Sequence, residues 1–308
     1  MRVGLALDLG SDMAAGPVAA QVRAAQPLLR AAEAAGFDSV WLGESYHPRP
    51  ESFHLPSPLM VLAHLAARTT LGLGTGVLLA RAQHPDRLAV EAALLDQLSD
   101  GRLTLGIGLG GDALRGAFGG PDLPGGRMLD ELLIRLSELW RRPEVVPGPH
   151  RPGGPPVLVG GRGPAAVRRA LELGEGWYGA TNYSNRLVVA QAAAYRAAGG
   201  TGEVAVNRLC VIHADDDGRV DRHLDRVRAY YRDRAAWDIG RDAGDSEPVL
   251  VGGPDEVRDG LERLRDAGVS SVQLRVASLG VPADVALQTV EAIGDRVLPA
   301  LAPTAPGI

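Results

Sequence analysis

The stretch that most constrains this chain runs from Leu71 to Asp112, LGLGTGVLLARAQHPDRLAVEAALLDQLSDGRLTLGIGLGGD. Two short apolar runs, Leu71–Leu79 and Leu103–Leu109, flank a helical run, Pro85–Leu98. Pro85 suits a first helical turn, and Ser99-Asp100-Gly101 stops the helix. Leu88, Leu94, Leu95 and Leu98 form its expected apolar face. A strand–helix–strand connection of this length makes the two strands parallel if they share a sheet. Both strands end in glycine: Gly74 and Gly76 in the first, Gly106, Gly108, Gly110 and Gly111 in the second. Glycine weakens a strand unless a ligand or another backbone must come close. Two readings follow, tight packing within a barrel or a flat ring lying against bare backbone at the strand ends.

The same alternation continues along the chain. Strands are predicted at Val3–Leu9, Asp38–Leu42, Pro156–Val159, Gly176–Ala180, Glu203–His213 and Ser271–Val276, besides the two above. Helices are predicted at Pro17–Ala35, Ser57–Ala67 with Ser57 as N-cap, Arg127–Trp140, Pro164–Leu173, Asn185–Ala198, Val220–Trp237, Pro254–Ala267 and Asp284–Ala300. Leu129, Leu132, Leu133, Leu136, Leu139 and Trp140 make the apolar face of the helix Arg127–Trp140. Strands alternating with helices over 308 residues predict one (β/α)8 TIM barrel domain spanning 1–308. An open doubly wound sheet would carry G-x-G-x-x-G in its first βα turn, and Asp8–Gly16 has no such pattern.

Composition excludes several classes. The net charge is −5, and the basic residues, all 32 of them arginine, are spread along the helices. That argues against nucleic-acid and membrane-surface partners. Without lysine there is no Schiff-base chemistry. The single cysteine, Cys210, rules out a disulfide framework and reads as a buried strand residue. Carboxylates and histidines do not cluster in metal-ligand spacing, so no metal is expected. Met1 leads into a strand, and no apolar run reaches about 20 residues. The expectation is a soluble, cytoplasmic protein acting on a small molecule.

Active sites of such barrels lie in the loops at the carboxyl ends of the strands. That rule selects Asp8, Glu44, Ser45, Tyr46 and His47, then Gly76 and Val77, then Gly108 to Asp112, including Gly110. It also selects Gly160, Gly161, Arg162 and Gly163, together with Trp177 and Arg275. The segment Gly160–Gly163 leaves a strand and enters a helix, where unpaired N–H groups and the helix dipole attract an anion. Arg162 adds a charged fork there.

At these residues the sequence resembles the bacterial luciferase-like family of flavin and deazaflavin oxidoreductases. The resemblance is carried by AAEAAGFDSVWLGES (31–45), TGVLLARAQHPDRLAVEAALLDQLSDGRLTLGIGLG (75–110), GRMLDELLIRLSELW (126–140), PVLVGGRGPAAVRRALELGEGW (156–177) and VGGPDEVRDGLERLRDAGVSSVQL (251–274), in the family's order. It implies a cofactor ring over strands three and four, a non-prolyl cis peptide at Gly76–Val77, a cofactor phosphate on Gly160–Gly163, and a homodimer. For the dimer, Leu59, Leu62, Ala63 and Ala66 of the helix Ser57–Ala67 are the expected contacts. The fourth strand has no polar side chain until Asp112, which resembles the glycine-rich form of members that bind coenzyme F420. The implied function is hydride transfer between F420 and a small organic substrate. An FMN-dependent monooxygenase and a non-catalytic flavin-binding barrel are the alternatives, and an unrelated phosphate-binding barrel is a further one.

The chain also departs from the family. Ser45 stands where many members carry a catalytic histidine, and Arg49 where some deazaflavin members carry tryptophan. Gly111, with Asp112 beside it, aligns with a glutamate of others. Hydride transfer to a C=C, C=N or C=O bond needs a nearby acid. His47 has the suitable intrinsic pKa, with Tyr46 and Asp112 as substitutes and Glu44 beside them. The predicted catalytic set is therefore His47, Glu44, Ser45 and Asp112. The predicted substrate pocket is Tyr46, Arg49, Trp177 and Arg275. Asp8 joins the glycine-rich strand ends in the predicted cofactor site.

Overall fold

The computed structural model describes residues 1–9, 16–46, 55, 57–114, 118, 123–142, 144, 147–213, 218, 221–222, 225, 229, 249–278 and 281–301. Nine parallel strands form one sheet: β1 Arg2–Leu7, β2 Ser39–Leu42, β3 Gly72–Leu79, β4 Leu103–Gly108, β5 Val157–Gly160, β6 Gly176–Gly179, β7 Glu203–Ile212, β8 Val249–Gly252 and β9 Ser271–Arg275. The order β6-β5-β4-β3-β2-β1-β9-β7, closed by pairing of β6 with β7, is an eight-stranded barrel. The (β/α)8 fold expected from the sequence is thus present.

β8 lies outside that ring. It pairs only with the far end of β7, Leu209–Ile212, beyond most of the stretch that β9 occupies. Four residues running into Gly252-Gly253-Pro254 read as a turn, which is why the sequence pattern missed this strand.

Between the strands run α1 Val18–Ala24, α2 Gln26–Ala34, α3 Pro58–Ala66, α4 Pro85–Leu98, α5 Gly125–Trp140, α6 Pro164–Glu172, α7 Asn185–Ala197, α8 Pro254–Asp266 and α9 Ala283–Ala292. A π-turn, Ile293–Val297, continues α9 into Leu298–Leu301. None of the described helices is long and apolar enough to cross a membrane. The predicted helix Val220–Trp237 falls mostly outside the described residues.

Three local expectations need correction. The helix predicted over Pro17–Ala35 is two helices meeting at Ala25, because Pro27 in the first turn of α2 has no N–H to continue the ladder. Ser57 does precede α3, but its side chain makes no capping hydrogen bond. On α4, Leu88 and Leu95 are buried with Ala89, Ala92 and Ala93, whereas Leu94 and Leu98 are 46% and 55% exposed. At 100° per residue, positions six and ten after Leu88 turn away from the face that Leu88 and Leu95 share.

Apart from a small contact of Val211 with Val285, the buried apolar side chains divide into two clusters. The larger lies between strands and helices and takes Val3, Leu5 and Leu7 of β1 and the predicted face of α5. The smaller fills the barrel interior: Ala6, Trp41, Leu158, Tyr178 and Ala205, with Val77 against it. Alternate residues of one strand serve the two sides. The interior set explains most of the strand-end glycines. A Cβ on Gly74 would overlap the Trp41 ring, and one on Gly76 would overlap the Tyr178 hydroxyl. One on Gly106 would strike the Thr75 carbonyl, and one on Gly108 would sit 3.1 Å from Val77 Cγ2. Barrel packing is therefore the reason for these glycines, and two aromatic rings occupy the space their side chains leave.

Candidate active site

The peptide Gly76–Val77 is cis, as the family resemblance implied. Its place is marked by a register shift between Thr75 and Leu78 where β3 pairs with β4. Gly76 and Val77 form one wall of a cavity of about 370 Å³ at the carboxyl end of the barrel. The remaining lining comes from Asp8 after β1, Gly43 to Ser45 after β2, Leu55, Ala180 to Asn182 after β6, Asn207 on β7 and Arg275 on β9, over Ala6 and Trp41.

The floor is polar and paired. Arg275 donates through Nη2 to Asp8 Oδ2 at 2.5 Å and through Nε at 3.1 Å, and each side chain is 7% exposed. Arg275 Nη1 also donates to Thr181 Oγ1 at 3.1 Å, and the Ser278 hydroxyl donates to Asp8. Both charges are thus out of water but opposed to each other and hydrogen-bonded, the condition under which a buried pair is tolerated.

Glu44 lines the cavity with its backbone side and turns its carboxylate elsewhere. Oε2 accepts from the Leu79 N–H at 2.7 Å and from Gln83 Nε2 at 2.9 Å, and Oε1 accepts from Gln83 at 3.1 Å. It ties the end of β2 to the segment after β3. Burial raises its pKa above the ordinary carboxylate value, against the pull of the bonds from Leu79, Tyr46 and Gln83. Ser45 lines the cavity and bridges to Leu55 through its carbonyl. Tyr46 packs on Phe118 with ring centroids 5.1 Å apart. Burial, and then the neighbouring Glu44 charge, push its hydroxyl pKa up. His47 and Arg49 lie outside the described residues.

Other predicted residues are not brought to the cavity. Asp112 is 85% exposed on its side chain and pairs with Arg81 Nη2 at 2.6 Å. Arg81, itself buried, also donates to the Gly110 carbonyl at 3.0 Å, so Asp112 and Gly110 belong to the anchoring of the β4 loop. Gly108 packs under Val77. Trp177 was expected in the substrate pocket, but it is 0% exposed. Its Nε1 donates to the Gly161 carbonyl at 3.0 Å, and its ring stacks on Tyr183. It points outward from the barrel and holds the glycine loop from beneath.

That loop has the expected form. Gly160 ends β5, Gly161 and Gly163 adopt φ of 149° and 76°, and Gly163 is the N-cap of α6 with no side-chain cap. Such φ values suit glycine alone; at the start of α6 Pro164 has no N–H, and the Ala166 N–H donates to the Gly163 carbonyl at 3.1 Å. Arg162 lies over the Tyr183 ring at 5.0 Å. Tyr183 follows directly on the cavity-lining residues Thr181 and Asn182, so loop and cavity are neighbours at one mouth.

Residues that the sequence pattern missed are Thr181, Asn182, Asn207, Tyr178 and Ser278. Thr181 and Asn182 stand just past a strand end and were within reach of the barrel rule. Asn207 was visible as an uncharged polar residue interrupting an apolar strand, VAVNRLCVI.

The sequence profile of the luciferase-like monooxygenase family matches residues 1–271. The chain belongs to the luciferase-like monooxygenase family. It is 31% identical over 221 residues to an F420-dependent glucose-6-phosphate dehydrogenase of Kineococcus radiotolerans, covering 64% of this chain and 65% of that one. It is 30% identical over 164 residues to the oxygenase component of a flavin-dependent trigonelline monooxygenase of Acinetobacter baylyi, covering 48% of this chain and 45% of that one. The chain thus spans about half to two thirds of these curated relatives. Among solved structures, monooxygenase RslO1 of Streptomyces bottropensis superposes with a TM-score of 0.80 at 25% identity, covering 98% of this chain and all of that one (100%). The coenzyme F420-dependent tetrahydromethanopterin reductase of Methanopyrus kandleri, at 20% identity, shares the fold with a TM-score of 0.69 over 97% of this chain and 99% of that one.

Proposed function

We propose that this luciferase-like oxidoreductase uses coenzyme F420 and transfers a hydride between the deazaflavin and a small organic substrate. The observation that carries this reading is the segment Gly106–Gly111 at the end of β4, which has no polar side chain of its own. The first polar side chain after it, Asp112, is held away from the cavity by Arg81. Members that bind FMN commonly place a polar side chain there. The longer of the two curated matches, to an F420-dependent dehydrogenase, supports the same choice.

The residues present fit such a group. The cavity offers bare backbone at Gly76–Val77 on one side and, on another, a buried amide oxygen, Asn207 Oδ1, with no hydrogen-bond partner among the described residues. The Gly160–Gly163 loop and Arg162 would hold the phosphate, and Gly76–Val77 would back the ring. When bound, the deazaflavin supplies a carbon that accepts or releases hydride and does not form the oxygen adduct of a flavin. The chain supplies position, exclusion of water and a proton. We assign that proton to His47, from its place just past Ser45 and its near-neutral intrinsic pKa. Tyr46 is the poorer acid, because burial and Glu44 oppose loss of its proton. Glu44 is engaged with Leu79 and Gln83.

An FMN-dependent monooxygenase is the second reading, favoured by the near-complete superposition on RslO1. Titration of the purified chain with each cofactor separates the two.

We also propose a homodimer through α3 and α4. The contacts expected on α3 are largely taken up within the chain, since Leu59, Leu62 and Ala66 are buried in its own core and Ala63 is half-buried against it. The exposed large apolar residues are instead Met60 (74%) on α3 and Val90, Leu94 and Leu98 on α4. Exposed apolar side chains of this size suit an association surface.

A further inference from the structure

β3 and β7 stand opposite each other in the eight-stranded ring, so the wall facing Gly76–Val77 is the one that carries Asn207. Asn207 is 7% exposed. Its Nδ2 lies 3.5 Å from the Tyr178 hydroxyl, at the outer limit of a hydrogen bond. Its Oδ1 is buried with no hydrogen-bond partner among the described residues. A buried acceptor left unpaired is costly, whereas the same position filled by an apolar group would cost little. The missing donor is therefore to be sought in what enters the cavity.

The charges on the lining point to the kind of molecule that brings it. They are one carboxylate, Asp8, and one guanidinium, Arg275, since the Glu44 carboxylate is turned to Leu79 and Gln83. Arg275 is already opposed by Asp8 at 2.5 Å and bonded to Thr181. An anion entering here would share that cation with a carboxylate.

We propose that Asn207 is a specificity-determining residue and that the site selects an uncharged substrate donating an O–H or N–H to Asn207 Oδ1. The inference rests on the reading that the cofactor ring sits against Gly76–Val77, which leaves the β7 wall to the substrate. It sets this chain apart from the dehydrogenases named above for a sugar phosphate.

The test uses three probes: cyclohexanol, its methyl ether and glucose 6-phosphate. Their affinities are measured by competition NMR on the purified chain, with and without cofactor. The wild type is expected to bind the alcohol about tenfold more tightly than the ether, the effect of one ordinary hydrogen bond. It should bind glucose 6-phosphate more weakly than the alcohol. Asn207→Leu should erase the preference for the alcohol while melting no lower than the wild type. A merely structural Asn207 would instead lower the melting temperature and leave the preference intact. Survival of the preference in Asn207→Leu, tighter binding of glucose 6-phosphate, or no binding of the alcohol overturns the proposal. The wild-type comparison of alcohol with ether stands whether or not the variant folds. Failure of the cofactor reading is visible separately, as no affinity of the wild type for either cofactor. The alcohol–ether comparison without cofactor then decides the role of Asn207 alone.

Discussion

The Tyr178 hydroxyl on β6 packs directly against Gly76 on β3, across the inside of the barrel. The ring of Tyr178 lies 5.7 Å from that of Trp41, which in turn occupies the space over Gly74. Two glycines of one strand thus seat two rings, Trp41 from the neighbouring β2 and Tyr178 from β6 across the barrel, and the cavity opens above them. Gly76→Ala puts a methyl group into the Tyr178 hydroxyl and should destabilise the fold by about 1–3 kcal/mol. Tyr178→Phe removes the clashing atom, so the double variant should recover most of the loss. Denaturant unfolding of the four proteins in this cycle measures it, and additive losses would show that the two residues do not meet.

Glu44 gives a pH signature. Burial holds its folded-state pKa above the unfolded value. At low pH the carboxyl is protonated in both states. As the pH rises, the unfolded chain releases the proton first, so stability falls until the folded-state pKa is passed. Glu44→Gln lacks this slope. The stability of the wild type relative to Glu44→Gln should be greatest at the acid end, decline through the folded pKa and then level off. Thermal melts across the acid range check this, and a difference that rises with pH contradicts it.

The phosphate assignment is tested by comparing two ligands that differ only there. Arg162→Ala should weaken binding of FMN about tenfold, the scale of one charge-assisted hydrogen bond. Riboflavin, which has no phosphate, should bind wild type and variant alike. Equal losses for both ligands would assign Arg162 to the ring or to the fold instead.

For the dimer, Met60→Glu combined with Leu98→Glu should leave the melting temperature nearly unchanged in dilute solution and halve the mass at micromolar concentration. Both residues are exposed on the single chain, so the substitutions cost it little. A monomeric wild type removes the dimer from the account.

The barrel was legible in the sequence because helices and strands alternate with different hydrophobic periods, as in Leu71–Asp112. The cis peptide at Gly76–Val77 came from the resemblance, not from any local preference. What could not be read was direction. Leu94 and Leu98 look like core residues in composition, and only the angle from Leu88 turns them to solvent. Trp177 and Tyr178 are adjacent, yet one packs under the glycine loop and the other inside the barrel, a difference of one residue in strand register. Asp112 was a reasonable acid by position until the buried Arg81 claimed it. The Asp8–Arg275 pair joins the first barrel strand to the last, and Asn207 meets the cavity only after closure. Relations of that kind depend on long-range pairing, which spacing along the chain does not encode.

The central claim is the choice of cofactor, and the most direct measurement is a pair of anaerobic titrations of the purified chain, one with coenzyme F420 and one with FMN. The account predicts that F420 binds more tightly. It also predicts that reduced F420 is consumed without oxygen once an unsaturated substrate is supplied, and that His47→Ala slows that step by about 10²–10⁴-fold. Tighter binding of FMN, together with turnover of reduced FMN that requires oxygen, would contradict it and make the protein a monooxygenase.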